Sequence, residues 1–395
     1  MSELLTQAQA IKEHLVDLRR ELHRHPELAL EEYRTAALIR RELDRLEVPY
    51  QQIGETGILA TVQGAQNGDR SVALRADIDA LPIEEENQVE YRSQNPGIMH
   101  ACGHDAHTTC LLGAAQLLMA HRDRFGGQVR LIFQPGEETG KGAMDFIQAG
   151  ALEGVDRAMA LHVESDLPLY TLGIKPGLNK AAVDHFRILV HGKATHVSTP
   201  ELGADALYAA SQIVVAIQGL VARRISPTDP IILGIGKFEA GTTYNAVAEY
   251  AELEGTTRTI SEEMRMQVRE WIDLIVRENA HISGAEGEVI WTSVCSTLFN
   301  DPQATAEVTD FAQKLDQRFQ IVDDRPLSLG GDNFGEYERL VPGCYVLLGT
   351  SSPDRPDTWH SIHNCHFDID EAALPVGAAL YAECAIRWLS KSTAD

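Results

Sequence analysis

"QVRLIFQPGEE", Gln128 to Glu138, decides how the chain is organised. Val129, Leu131, Ile132 and Phe133 make a short apolar run of strand length, and Pro135-Gly136 stops it with two carboxylates immediately beyond. Working back, "TTCLLGAAQLLMAH" (108–121) reads as an apolar helix and "SVALRADID" (71–79) as a second strand. Working forward, "DRAMALHV" (156–163) is a third strand. Strands alternating with helices argue for an α/β domain whose sheet is mainly parallel. The first fifty residues read as helices, with Leu15, Leu18 and Leu22 at helical spacing. After Asn300 the pattern resumes, with the strand "CYVLLGT" (344–350) and a last helix over 371–389.

Between these halves the rhythm differs. "FRILVHG" is a strand, 205–224 a helix, "IILGIGKF" and "EYAELEGTTRT" are strands, 262–280 is a helix and "GEVIWTSV" a strand. The order β-α-β-β-α-β is that of a ferredoxin-like α+β unit. A chain of 395 residues suits two domains. The reading therefore assigns residues 1–183 and 297–395 to one discontinuous domain and 184–296 to an inserted one.

Lys and Arg number 34 against 58 Asp and Glu, a formal charge of −24. Such an excess of carboxylates repels phosphate backbones and anionic headgroups, so nucleic acid and membrane partners are not expected. The N-terminal stretch is charged throughout, without the apolar core of a signal peptide. The uncharged run 206–222 lies between Asp205 and the Arg223/Arg224 pair, a charge placement that suits a helix dipole and a buried helix. Six cysteines show no CxxC spacing and read as reduced thiols, so the expected location is cytoplasmic.

The residues with most chemistry fall at the carboxyl ends of the expected strands, the edge where open α/β sheets bind ligands. They are Asp77 and Asp79, then "MHACGHDAH" (99–107), Glu137 and Glu138, His162, and "HSIHNCHF" (360–367). A disulfide, a reactive cysteine or a metal could each explain the crowding in 99–107. Cys102 alone would be a small buried hydrophobe. His162 alone would be a core histidine, and the two glutamates alone a solvated turn. Sulfur, nitrogen and oxygen donors from separate loops instead suit a divalent ion such as zinc, with manganese or cobalt as further candidates. Adjacent glutamates after a strand can divide the work, one binding metal and the other serving as a base. His23, His25, His121, His185, His191 and Cys110 read as structural, and "IEEENQVE" (83–90) as a solvated acidic loop.

At this point "MHACGHDAHT", "FQPGEE", "ALHV", "TTYNAVAEYAELEGTTRT" and "HNCHFDIDEAAL" resemble, nearly end to end and in order, the aminoacylase and carboxypeptidase family of binuclear metallopeptidases, peptidase family M20. The amidohydrolase branch is the nearest match. The resemblance implies a zinc-exopeptidase-like catalytic domain with an inserted lid, which is also the surface of a homodimer or of a dimer of dimers. It implies two divalent ions per subunit, zinc or manganese with cobalt or nickel as alternatives. The implied ligands are Cys102, His104, Glu138, His162 and His363, with His360 and His366 as rivals of the last. Glu137 would be the general base acting on a metal-activated water, and Asp79 would orient the site. His196 would donate to the oxyanion, and Asn245 and Arg258 would hold the substrate, whose carboxylate suits a guanidinium.

The implied reaction splits the amide of an N-acyl amino acid, such as an N-acetyl or N-benzoyl derivative, into a carboxylic acid and a free amino acid. A metal-dependent dipeptidase or aminopeptidase-like exopeptidase is the alternative. A metal-binding protein without catalysis and a hydrolase using Cys102 as nucleophile are further readings. Two stretches depart from the family pattern: Gly192-Lys193-Ala194-Thr195-His196-Val197, and Gly330-Gly331-Asp332-Asn333-Phe334. They leave the surroundings of the centre and the acyl preference open. Arg258 could equally pair across strands with Glu254.

Overall fold

The computed structural model describes residues 2–390. The chain divides into two compact units: Met1–Gly177, Phe299–Pro326 and Asn333–Asp395 form the first, and Leu178–Leu298 with Leu327–Asp332 the second. The second unit thus starts and ends a few residues outside 184–296 and also takes in a short later segment.

The first unit is built on an eight-stranded sheet. Its order is Tyr50–Ile53, Gly57–Gln63, Gly126–Gln134, Gln66–Asp77, Arg157–Pro168, Gly343–Ser351, Thr171–Gly173 and Gln320–Val322. The four central strands, 126–134 to 343–351, run parallel. Pairings outside them are antiparallel except the last, so the sheet is mixed around a parallel heart. The strands 50–53, 171–173 and 320–322 escape sequence reading because each is too brief to show a period, and the seven-residue strand 57–63 is a further one that the reading does not include.

Helix His104–Ala120 lies in the core, with every residue from His104 to Ala115 buried. Helix Ala373–Ser390, the 371–389 expectation, is buried on nearly all sides and packs against it. Helices apolar all round belong inside. Because the central strands are parallel, their carboxyl ends share one edge. Asp77 ends one of these strands with Asp79 just beyond it, Glu137 and Glu138 follow another, and His162 stands within a third.

The second unit has a four-stranded antiparallel sheet in the order Glu286–Cys295, Ala182–His191, Tyr250–Thr259, Ile232–Ala240. Numbered along the chain this is fourth, first, third, second, with helices Ala206–Arg223 and Glu262–Ile282 packed on the sheet. Phe186, Ile188 and Val190 alternate inward along one strand and Leu253 joins them from the next. Ser261 caps the second helix, and Asp205 caps the first through the N–H groups of Leu207 and Tyr208.

Helix Ala206–Arg223 corrects one expectation, because it is not buried all round. Ala209, Ala210, Ile213, Ile217 and Leu220 face the sheet, while Leu207, Tyr208, Val215 and Val221 stay exposed. Among the described residues it alone is long and apolar enough to cross a membrane. Its burial within the unit follows the helical period and not its overall apolarity.

Candidate metal centre

The backbone between Cys102 and His104 is forced into a left-handed turn at Gly103, where φ is +84° and a Cβ would lie 2.2 Å from a Val163 methyl. Only glycine fits there. The turn begins the buried helix and brings the thiol and the first imidazole to the sheet edge together. A second left-handed glycine, Gly136 with φ +67°, turns the chain after strand 126–134 and presents Glu137 and Glu138.

Donor atoms then converge within the first unit. Cys102, His104 and His162 lie with their ligand atoms within 4.8 Å of one another, as do Cys102, Glu138 and His363, and His104, Glu137 and Glu138. Cys102 Sγ is 3.4 Å from His162 Nε2. Glu138 Oε1 is 3.4 Å from His363 Nε2 and 3.8 Å from His104 Nε2. His363 reaches this point with a positive φ of 63°, uncommon for a histidine, and its N–H donates to Ala101 O at 2.8 Å. Its rivals lie apart: the rings of His360 and His366 face each other at 5.4 Å, tilted by 45°, and His366 meets Glu86.

Asp79 orients two of the donors. One carboxylate oxygen lies 3.2 Å from His104 Nδ1, and the other accepts the Glu138 N–H at 3.0 Å. His104 Nε2 is thereby aimed at the cluster. It and Glu138 Oε1 are buried without a hydrogen-bond partner. Buried polar atoms normally have partners, so two orphans aimed at one point beside a thiol and two further imidazoles fit a divalent cation. Glu137 stands differently, with one carboxylate oxygen accepting the Asn333 N–H at 3.2 Å.

Charge around the cluster is tightly balanced. Burial works to raise the Asp77 pKa, but Arg75, His104 and His107 outweigh it and hold the group well below the carboxylate range. Burial likewise opposes ionisation of Glu138, and the neighbouring His363 and His104 imidazoles overcome it. Burial, together with the charge of Glu138, pushes the Cys102 thiol up. A coordinated cation reverses that order for a thiol.

Sequence reading missed a supporting network. Arg75 donates to Asp77 at 2.6 Å and to Asn333 Oδ1 at 2.8 Å. Asp77 meets His107 Nδ1 at 2.5 Å, and His107 Nε2 accepts the Val163 N–H at 2.9 Å, beside His162. The signals existed: Arg75 and Asp77 share a strand face, and His107 stands three residues after His104 on one helix face. His100, from the same crowded stretch, joins none of the described ligand groups, and burial lowers its pKa to about 3. The 83–90 loop also needs correction, since Glu85 is buried and bonded to His23 and to the Ser93 N–H.

The remaining expected residues belong to the second unit. His196 and Asn245 come together there: His196 forms a bridge with Ala246, and the Val197 N–H donates to Asn245 O at 3.1 Å. Both side chains are exposed, with His196 Nδ1 2.7 Å from Ser198 Oγ. Arg258 stands on strand 250–259 and donates to Leu329 O at 3.2 Å. A cross-strand pair with Glu254 is ruled out, because both residues lie on this one strand, four positions apart, and Glu254 instead accepts from Lys237 at 3.0 Å and lies 3.3 Å from His185.

Comparison with known proteins agrees with this chemistry. The model of peptidase family M20/M25/M40 matches residues 73–387. An N-acetyl-L-cysteine deacetylase of Bacillus subtilis (strain 168) is 38% identical over 383 residues, covering 97% of this chain and 90% of that protein. Thermostable carboxypeptidase 1 of Saccharolobus solfataricus is 35% identical over 396 residues, 99% of each. A crystal structure from Bacillus subtilis, described as a dinuclear metal binding peptidase from the M20 family, superposes with a TM-score of 0.82 at 34% identity, over 97% of this chain and all of that one (100%). The chain belongs to peptidase family M20/M25/M40, in its amidohydrolase branch, and is a metallo-amidohydrolase.

Proposed function

We propose that this protein hydrolyses N-acyl amino acids to a carboxylic acid and a free amino acid, using a pair of divalent cations, zinc or manganese, held by Cys102, His104, Glu138, His162 and His363. The observation that carries the reading is the convergence of these donors, with His104 Nε2 and Glu138 Oε1 buried and without hydrogen-bond partners. The similar N-acetyl-L-cysteine deacetylase and the dinuclear peptidase support the substrate class and the metal count.

Bound cations would lower the pKa of water and polarise the amide carbonyl. Glu137 then takes a proton from the attacking water and returns it to the departing amine. Its carboxylate accepts the Asn333 N–H at 3.2 Å, which orients it. Asp79 fixes the rotamer of His104 and the backbone of Glu138. His196 supplies the hydrogen bond to the oxyanion, and Asn245 and Arg258 hold the amino-acid part of the substrate. The exposed Leu207, Tyr208 and Val215 support self-association through the second unit. Six cysteines that all stand free accord with a cytoplasmic setting.

Replacing Glu137 by Gln should lower kcat on N-acetyl and N-benzoyl amino acids by about 10²–10⁴-fold and leave the metal content unchanged. Chelation should abolish turnover, and zinc or manganese should restore it. Full activity of the variant would remove Glu137 from its role. Similarity to a thermostable carboxypeptidase keeps an exopeptidase reading in play. A preference for plain dipeptides in the same assay would select it.

A further inference from the structure

A second set of donors lies outside the centre just described. Ligand atoms of Glu86, Cys365 and His366 lie within 4.8 Å of one another. The Glu86 carboxylate is 3.4 Å from His366 Nε2. Two donors each about 2.0–2.2 Å from one tetrahedral ion stand roughly 3.4 Å apart, so this spacing is already that of a coordinated pair.

The backbone holds the arrangement independently of the side chains. The Glu86 N–H donates to Cys365 O at 3.0 Å, tying the loop after Asp79 to the loop that carries His363. The His366 N–H donates to Asn364 Oδ1 at 2.8 Å and fixes the turn. The His360 ring lies 5.4 Å from that of His366, tilted at 45°, and adds a second imidazole beside the set. Cys365 is half-buried, whereas every other cysteine in the chain is buried. One carboxylate, one thiol and one imidazole, with another imidazole adjacent, form a mixed donor set suited to a borderline cation.

We infer that Glu86, Cys365 and His366 form a further divalent-cation site, selective for zinc-like ions, that clips the 82–97 loop to the loop bearing His363. The ion bonds to the Cys365 thiolate, and the thiol proton leaves to solvent. Partial exposure makes the site weaker than a buried one and able to exchange with free zinc. It uses none of the residues assigned to hydrolysis.

The test uses the full chain with zinc alone. Equilibrium dialysis at micromolar free zinc should show one ion fewer per chain in Cys365→Ser and His366→Ala than in the parent, with unchanged circular dichroism. Iodoacetamide should alkylate Cys365 in the folded protein, located by peptide mass, and zinc should slow that reaction by about tenfold or more. The protection should vanish in His366→Ala and persist in Glu138→Ala, whose centre is damaged. Failure of the catalytic-centre reading would therefore leave the Cys365 result standing. Equal zinc content in parent and variants, with alkylation indifferent to zinc, would reduce the set to an ion pair beside a thiol. Should a variant misfold, the zinc dependence of alkylation in the parent decides alone.

Discussion

The two compact units treat charge in opposite ways. In the first, ionic groups are buried and shared: Arg19 is fully buried and donates to Asp105 at 2.9 Å and Asp368 at 2.8 Å, and His23 meets the same Asp105 at 2.7 Å. In the second, several pairs lie on the solvent face of the sheet, as Arg187 with Glu252 and Lys237 with Glu254 do. Asp184 between Arg265 and Arg269 is its buried counter-example. Buried networks hold side chains to one geometry, because any departure strands a charge in low dielectric. The unit carrying the donor cluster is built this way under the helix that starts at His104. The unit carrying His196 and Asn245 leaves both exposed, on local hydrogen bonds alone.

The comparison can be broken by four measurements. If His196 acts on the oxyanion despite its loose local setting, His196→Ala should lower kcat by about 10²–10³-fold while metal content and fold stay intact. A change confined to KM would make it a binding residue. Arg19→Met should cost roughly 3–5 kcal/mol in urea unfolding, because it removes the buried guanidinium that Asp105 and Asp368 share. A cost close to zero would show the buried network to be incidental.

The third test is pH. Burial and the Arg19 charge push the His23 pKa down, but Asp105 and Glu85 prevail and hold it up at about 9. The folded protein therefore keeps a proton that the unfolded chain releases near pH 6.5, so this stabilisation is whole below about pH 6.5. It declines as pH rises to about 9, a loss of roughly 3 kcal/mol at about 1.4 kcal/mol per unit. His23→Gln should flatten that slope in the urea midpoint. Smallest of all, Arg187→Ala on the exposed sheet face should leave the midpoint within scatter. A clear loss there would erase the contrast between the units.

Much of this was legible beforehand because period and punctuation are local properties. The run at 128–138 ends in Pro-Gly with two glutamates, and the structure has a strand over Gly126–Gln134 with the acids just beyond. The β-α-β-β-α-β order of the second unit could be read for the same reason. Short strands such as Thr171–Gly173 could not, since three residues carry no period and hydrogen-bonded neighbours create them. Glu85 looked like one acid in a solvated run, and only the approach of His23 from a distant helix makes it a buried partner. His23 itself, read as structural, proves to be the hub of that network.

By itself the sequence determined which side chains are present, the left-handed glycines that turn Cys102 and the glutamates toward one edge, and the strand ends that carry them, because conformational preference resides in neighbouring residues. Tertiary structure alone decided that Asn333 holds the Glu137 carboxylate while bracing Arg75, and that helix Ala206–Arg223 keeps an exposed apolar face. Those choices depend on contacts between residues far apart in the chain, where burial and hydrogen-bond satisfaction are settled jointly and no local pattern records the outcome.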